Sequence, residues 1–328
     1  MNLKKIVSKA YGELNTTKNA LLNIINKPTM VILYHRVTNI ENDPQMLAVS
    51  PDNFYQQVKF LRDNYNIVRF EDNWQDYDNK SIVITFDDGY EDNFIEALPI
   101  LEDLKVPATF FISTGLIDSD RIFWWDELEY LIFCNSKCSN IYQFNSDEMN
   151  IKYRTESEAE IRQFYKEIHK IILHSNSIDL QNRLLNSVRE WSKKDINLNY
   201  QQHRIMTSEQ VKMMSKSRYT SLGAHTVNHA SLSNLSEKDQ RFEILHSKLQ
   251  LEKITGHNID LFSYPFGSKS DYTNQTIKIL KECGIRKCAS NYTGTVRNKL
   301  DLYQIPRNLV RNWSVNKFKE NIERYWVL

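Results

Sequence analysis

Two neighbouring carboxylates, Asp87 and Asp88, follow five β-prone residues, Ile82 to Phe86, and Gly89 comes directly after them. Strand propensity ending on a breaker places both acids at the C-terminal end of a strand. In α/β proteins that end of the sheet is where catalytic groups collect. Successive strand residues face opposite ways, so the acids take different roles unless the strand ends and twists there. Far along the chain, His225 and His229 stand at i and i+4 in Gly223-Ala224-His225-Thr226-Val227-Asn228-His229. Two imidazoles at that spacing can converge on one metal ion from a turn or a helical turn. The pair alone is a weak signal, since the chain has eight histidines and surface or capping roles are common. Joined to an Asp at a strand end, it becomes a His2Asp set that leaves coordination positions open for water and substrate.

The elements that must position these groups alternate. Met30 to Tyr34, Ile82 to Phe86, Ala108 to Ser113, Thr220 to Ala224, Leu261 to Tyr264, Lys287 to Ser290 and a segment near Ile305 read as strands. Asp52 to Tyr65, Asp92 to Leu104, Thr207 to Lys216, Glu237 to Thr255 and Thr273 to Cys283 read as the helices between them. Such alternation predicts a parallel sheet, closed or open. Every motif follows directly on a strand, which predicts one composite site on one rim.

Residues 116–206 break the pattern. They read as a helical insertion on the catalytic rim, with helices around Glu156 to Leu173 and Asp179 to Trp191, flanked by barrel segments 28–115 and 207–328. Trp124 and Trp125 offer flat apolar faces to a sugar ring, or else anchor the insertion. Residues 1–27 read as an amphipathic helix with Leu3, Ile6, Val7, Ala10, Leu14, Leu21 and Ile25 on one face. That helix packs on the barrel or makes peripheral contact with a membrane.

The 328 residues suffice for one large domain or an elaborated barrel, and a net charge of +1 gives no support to a nucleic-acid partner. Cys134, Cys138, Cys283 and Cys288 lack the C-x2-C spacing of a zinc site and read as ordinary reduced thiols. No apolar run is long enough to span a bilayer, and no secretory signal follows Lys4 and Lys5, so the expectation is a cytoplasmic protein.

Thr85-Phe86-Asp87-Asp88-Gly89, then His225-Thr226-x-x-His229, then Phe262-Ser263-Tyr264-Pro265-Phe266-Gly267 resemble, in order, the three motifs of the polysaccharide deacetylase family, the NodB-homology carbohydrate esterases. The resemblance implies a distorted (β/α)7-type barrel with an inserted helical subdomain. It implies removal of acetyl groups from an N-acetylated amino sugar of a polysaccharide or glycolipid precursor. One divalent metal ion is implied, zinc first, with cobalt or nickel as alternatives, held by Asp88, His225 and His229. Asp87 would be the general base, and Thr226 would support the histidine loop.

A general acid is then needed for the leaving amine. The family usually takes it from a Leu-x-His motif near the C-terminus, but no histidine follows His257 here. Leu33-Tyr34-His35 ends the first strand instead. This resembles a circularly permuted branch that includes biofilm poly-N-acetylglucosamine deacetylases. It makes His35 the acid and Leu33 part of an acetyl-methyl pocket. In the third motif Ser263 stands where the family has the Arg that orients the base, so Arg307 or Arg311 would supply that charge. Phe266 replaces a Tyr whose backbone N–H serves the oxyanion, a role any residue type can fill. Tyr264 is a further substrate contact by this alignment. Other readings are hydrolysis of a different acyl group or cyclic amide on the same barrel, or a carbohydrate-binding protein with a decayed site.

Overall fold

The computed structural model describes residues 28–77, 79–133, 139–175, 178–193, 200–297 and 301–327. The helix expected over residues 1–27, and Cys134 and Cys138, lie outside them. The chain folds into two compact units. The first comprises the described residues within Met1–Asn39, Gln45–Ser119 and Ile205–Leu328; the second comprises those within Ile40–Pro44 and Asp120–Arg204.

The first unit holds the main sheet: β1 (Thr29–Tyr34), β2 (Asn66–Ile67), β3 (Ser81–Phe86), β4 (Ala108–Ile112), β5 (Thr220–Ala224), β6 (Leu261–Ser263), β7 (Lys287–Ala289) and β8 (Asn308–Leu309). All its pairings are parallel, in the order β7-β6-β5-β4-β3-β1-β8, with β2 beside the start of β3. The last strand lies against the first, with Ile32 opposite Asn308 and Leu33 opposite Leu309. Just before β8, Ile305 bridges to Ala289 of β7. Residues 305–309 therefore bond to both edges of the sheet and draw it round into the expected barrel.

Helices α1 (Pro51–Asn64), α2 (Leu98–Leu104), α6 (Ser208–Met214), α7 (Glu237–Thr255), α8 (Asn274–Glu282) and α9 (Val315–Val327) accompany these strands. The terminal α9, absent from the sequence reading, packs Phe318 edge-on to Phe60 of α1 at 6.2 Å. The helix expected from Asp92 begins instead as a π-helical segment, Asn93–Ala97, before α2. Pro99 explains this, because it has no N–H for the α-helical bond to residue 95.

Strand alternation sorts the barrel into layers. Val31, Val83, Phe111, Leu261, Ala289 and Ile305 form one buried cluster. Two residues further along, the same face carries Leu33, Thr85, Ser263 and Arg307, and beyond these His35 and Asp87. The opposite face meets the helices: Tyr34 stacks on Phe86 at 5.4 Å and Phe86 on Phe110 at 4.6 Å, with Phe54 of α1 edge-on to Tyr34 at 5.1 Å. Burying each such ring contributes roughly 1.5–3 kcal/mol.

The second unit contains α3 (Trp124–Phe133), α4 (Glu158–His174) and α5 (Ile178–Ser192), around a core that includes Leu128, Leu131, Phe164, Ile168, Leu184 and Val188. It is not purely helical as expected, because Ile141–Asn145 and Asn150–Arg154 form an antiparallel hairpin. Burial alternates along Ile141–Asn145, with Tyr142 inward, but apolar Ile141 faces out, so the residue types alone did not show the period. Among the described residues no helix is long and apolar enough to cross a membrane.

Candidate active site

The chain leaves β3 at Phe86 and turns at once, with Asp88 at φ 74° and Gly89 at φ 86°. A Cβ on Gly89 would lie 2.8 Å from the Ile112 side chain, so both space and backbone call for glycine. The turn overrides strand alternation and brings both acids to one side. The Nε2 of His225 lies 3.5 Å from Asp88 Oδ1 and 3.9 Å from Asp87 Oδ2, and that of His229 lies 3.2 Å from Asp88 Oδ1. The two imidazoles sit 4.8 Å apart, crossed at 74°.

Candidate ligand atoms of Asp88, His225 and His229 all fall within 4.8 Å of one another, and all three residues are buried. Asp88 Oδ1 is a buried oxygen with no hydrogen bond. Two imidazole nitrogens and one carboxylate oxygen around such an atom fit a divalent ion of the zinc type. His225 Nδ1 meets the Ser263 carbonyl at 2.7 Å, which leaves Nε2 as its ligand atom.

The histidine loop is strained, with Thr226 at φ 64° and His229 at φ 52°. Left-handed non-glycine residues cost about 1–3 kcal/mol each unless their surroundings hold them. Thr226 does not do so through its hydroxyl, contrary to expectation: Oγ1 is buried without a hydrogen bond. The backbone does part of the work, since Thr114 N–H donates to Thr226 O at 3.1 Å and Gly115 N–H to Val227 O at 2.8 Å. The Glu243 carboxylate does the rest, accepting the N–H groups of Val227 and Asn228 at 2.8 Å each.

Of the two candidate arginines, Arg307 reaches Asp87. Nη1 donates to Oδ1 at 2.8 Å and Nη2 to Oδ2 at 2.6 Å, a bidentate pair with Arg307 wholly buried. Ser263 joins it, accepting from Arg307 Nη2 at 2.8 Å and donating to Asp87 Oδ2 at 3.1 Å. Arg311 turns away to the carbonyls of Gln45 and Met46. Burial alone would raise the Asp87 carboxyl; the charges of Arg307 and His225 more than offset it and hold the group below the ordinary value. Burial likewise opposes ionisation of Asp88, but the close approach of the His225 and His229 imidazoles takes it well below that value. Burial disfavours charge on His225, yet Asp87 and Asp88 raise its pKa. The cluster therefore favours a cation, whether proton or metal.

His35 follows β1, half-buried, and responds to the charges of Asp88, Asp87, Arg307 and His225. Burial lowers its pKa against the pull of the two acids. Its carbonyl accepts from Asn93 Nδ2 at 2.9 Å, while Asp92 accepts from Val37 N–H and Arg36 Nε at 3.0 Å each. Asp92 and Asn93, at the start of the π-helical segment, thus fix the strand end that carries His35.

The expected substrate contacts divide. Phe266, at φ 59°, sets its ring 4.8 Å from that of His229. Tyr264 is corrected: strand parity turns it away from Ser263 to the helix side, where it stacks on Tyr272 at 3.9 Å and is 1% exposed. Leu33 is on the His35 side of β1 but presents no surface. Trp125 is buried and stacked on Phe123 at 4.3 Å, and Trp124 packs against the core of the second unit, so both serve packing within that unit.

These shifts carry a pH prediction. The stability conferred by the depressed Asp87 and Asp88 is present above their unfolded value near ~3.9 and lost as pH falls through their folded values. That conferred by the raised His225 is complete below ~6.5 and lost as pH rises through its folded value. In chelator, Tm should peak between about pH 4 and 6.5. A flat Tm from about pH 3 to 8 would contradict the assignment.

A polysaccharide deacetylase family profile matches residues 75–288. YxkH of Bacillus subtilis (strain 168), a candidate polysaccharide deacetylase by name, is 20% identical over 286 residues, 84% of this chain and 69% of its own. The structure of BC0361, a polysaccharide deacetylase from Bacillus cereus, aligns with TM-score 0.59 at 20% identity, covering 90% of this chain and 69% of that one. The Streptococcus pyogenes deacetylase PplD, solved in complex with acetate, aligns with TM-score 0.57 at 18% identity, covering 90% and 98%. These structures share the fold. The profile spans Asp87, Asp88, His225 and His229 within more than half of the chain, though His35 and Arg307 lie outside it. With the barrel and its acid–histidine cluster in the family's order, the chain belongs to the polysaccharide deacetylase family, hydrolases of non-peptide carbon–nitrogen bonds.

Proposed function

We propose that this protein removes the acetyl group from an N-acetylated amino sugar of a polysaccharide or glycolipid precursor, with Asp87 as general base and His35 as general acid. The observation that carries this reading is the Asp87–Arg307 pair, at 2.6 and 2.8 Å, beside the Asp88–His225–His229 cluster. PplD, which shares the fold, was solved in complex with acetate, the product this reading calls for.

Asp88, His225 and His229 would hold one divalent ion, zinc first and cobalt or nickel as substitutes. Such an ion, when bound, lowers the pKa of water and polarises a carbonyl. Asp87, kept ionised and aligned by Arg307, takes the proton of the attacking water. The backbone N–H of Phe266 serves the developing oxyanion. His35 delivers a proton to the amine nitrogen as the carbon–nitrogen bond breaks. Its burial makes that proton easier to give up, against the opposing pull of the adjacent acids.

Acetate release from a panel of N-acetylated sugars and oligosaccharides, before and after chelation, tests the reading. Release should stop with chelator and return with zinc, cobalt or nickel; release indifferent to chelator would sink the metal role. His35→Ala should slow amide hydrolysis by about 10²–10⁴-fold yet largely spare an activated acetyl ester, whose leaving group needs little protonation. Equal losses on both substrates would remove His35 from the acid role.

A further inference from the structure

We propose that Glu243 is a positioning residue for the metal centre, setting the shape of the loop between its two histidine ligands. This rests on the metal reading of Asp88, His225 and His229 given above. Glu243 lies on α7, 5% exposed. One carboxylate oxygen, Oε2, accepts the backbone N–H groups of Val227 and Asn228 at 2.8 Å each, and Oε1 accepts Asn228 Nδ2 at 2.6 Å. No ion pair to Glu243 occurs among the described residues, so those three donors are its counterweight. A buried carboxylate is costly unless so satisfied.

The loop it holds is the one that needs holding. Thr226 and His229 flank the two bonded N–H groups, both at positive φ, and the Thr226 hydroxyl contributes no hydrogen bond. With both N–H groups pinned to one oxygen, the loop cannot relax toward an extended path. His225 and His229 then stay converged on Asp88 at 3.5 and 3.2 Å. Further along the same helix, Gln250 Nε2 donates to Thr114 O at 3.2 Å, and the N–H of that residue bonds the Thr226 carbonyl. The helix thus braces the loop from both sides through polar side chains on its inner face.

The test is metal affinity, measured by competition with a chromophoric chelator, together with the visible absorption of the cobalt-loaded protein. Glu243→Ala should weaken binding by about 10–100-fold, the usual cost of losing a group that orients metal ligands, and should alter the cobalt spectrum. Glu243→Gln keeps the shape and covers the case in which the alanine variant does not fold. Its neutral amide accepts the Val227 and Asn228 N–H groups more weakly than a carboxylate does, so binding should again weaken, though less than in the alanine variant. Asn228→Asp alone should weaken binding too, since two carboxylates would meet. The double variant Glu243→Gln with Asn228→Asp restores donor to acceptor and should recover affinity and spectrum. A simple charge effect would instead make Asn228→Asp bind more tightly, and that result would overturn the proposal. So would wild-type affinity and an unchanged spectrum in both Glu243 variants. His225→Ala separates the two claims: wild-type binding that this variant abolishes upholds the metal reading whatever Glu243 does. Absence of binding in the wild type would overturn both.

Discussion

Asp87→Asn should lower turnover by about 10²–10⁴-fold while leaving metal content unchanged, the loss expected when a general base is removed. The substitution preserves size but cannot take a proton from water. It also leaves the guanidinium of Arg307, wholly buried, facing a neutral amide, so stability should fall as well. Turnover must therefore be measured on protein shown to be folded, with metal content and Tm determined alongside. The proposed metal ligands Asp88, His225 and His229 are all retained in this variant. Full turnover in a folded, metal-loaded Asp87→Asn protein would dismiss Asp87 as the base.

Arg307→Met is the complementary experiment and should destabilise the protein by about 3–5 kcal/mol, the range for breaking a buried pair by removing one partner. Arg307 bonds Asp87, Ser263 and the Ser290 carbonyl at 2.6–2.8 Å, so several acceptors lose their donor together. Burial then acts on Asp87 with less opposition and pushes its pKa upward. The acid limb of the pH–rate profile should accordingly move to higher pH. Ser263→Arg in the Arg307→Met background should move it partly back, since residue 263 already hydrogen-bonds Asp87 at 3.1 Å. An acid limb that stays in place in Arg307→Met would show that Arg307 does not set the ionisation of the base.

Much of this arrangement was legible because it is local. The run Ile82 to Phe86 before two acids and a glycine reads as a strand end whatever surrounds it, and β3 ends there. Thr220–Ala224 and Glu237–Thr255 agree residue for residue with their sequence readings, since propensity, capping and period suffice to place them. Glu243 also left a trace. It falls among the inward positions of α7, with Gln240, Ile244, Ser247 and Leu251, and an acid there signals a specific partner. The partner itself, a loop N–H pair, could not be read from the helix. Tyr264 shows a signal misapplied: two residues on one strand cannot both face the barrel when they are adjacent, and Ser263 already does.

By itself the sequence determined the β-α order, the rim on which the motifs gather and the residue types of a His2Asp site, because each depends on neighbours along the chain. Only the tertiary structure decided that both acids share one side, that Arg307 and not Arg311 bonds Asp87, and that Trp125 is buried within the second unit. The Arg307–Asp87 contact joins residues 220 positions apart and exists because residues 305–309 close the sheet between β7 and β1. A side chain's facing is set by strand period, but its partner is set by which strands the closed barrel brings together.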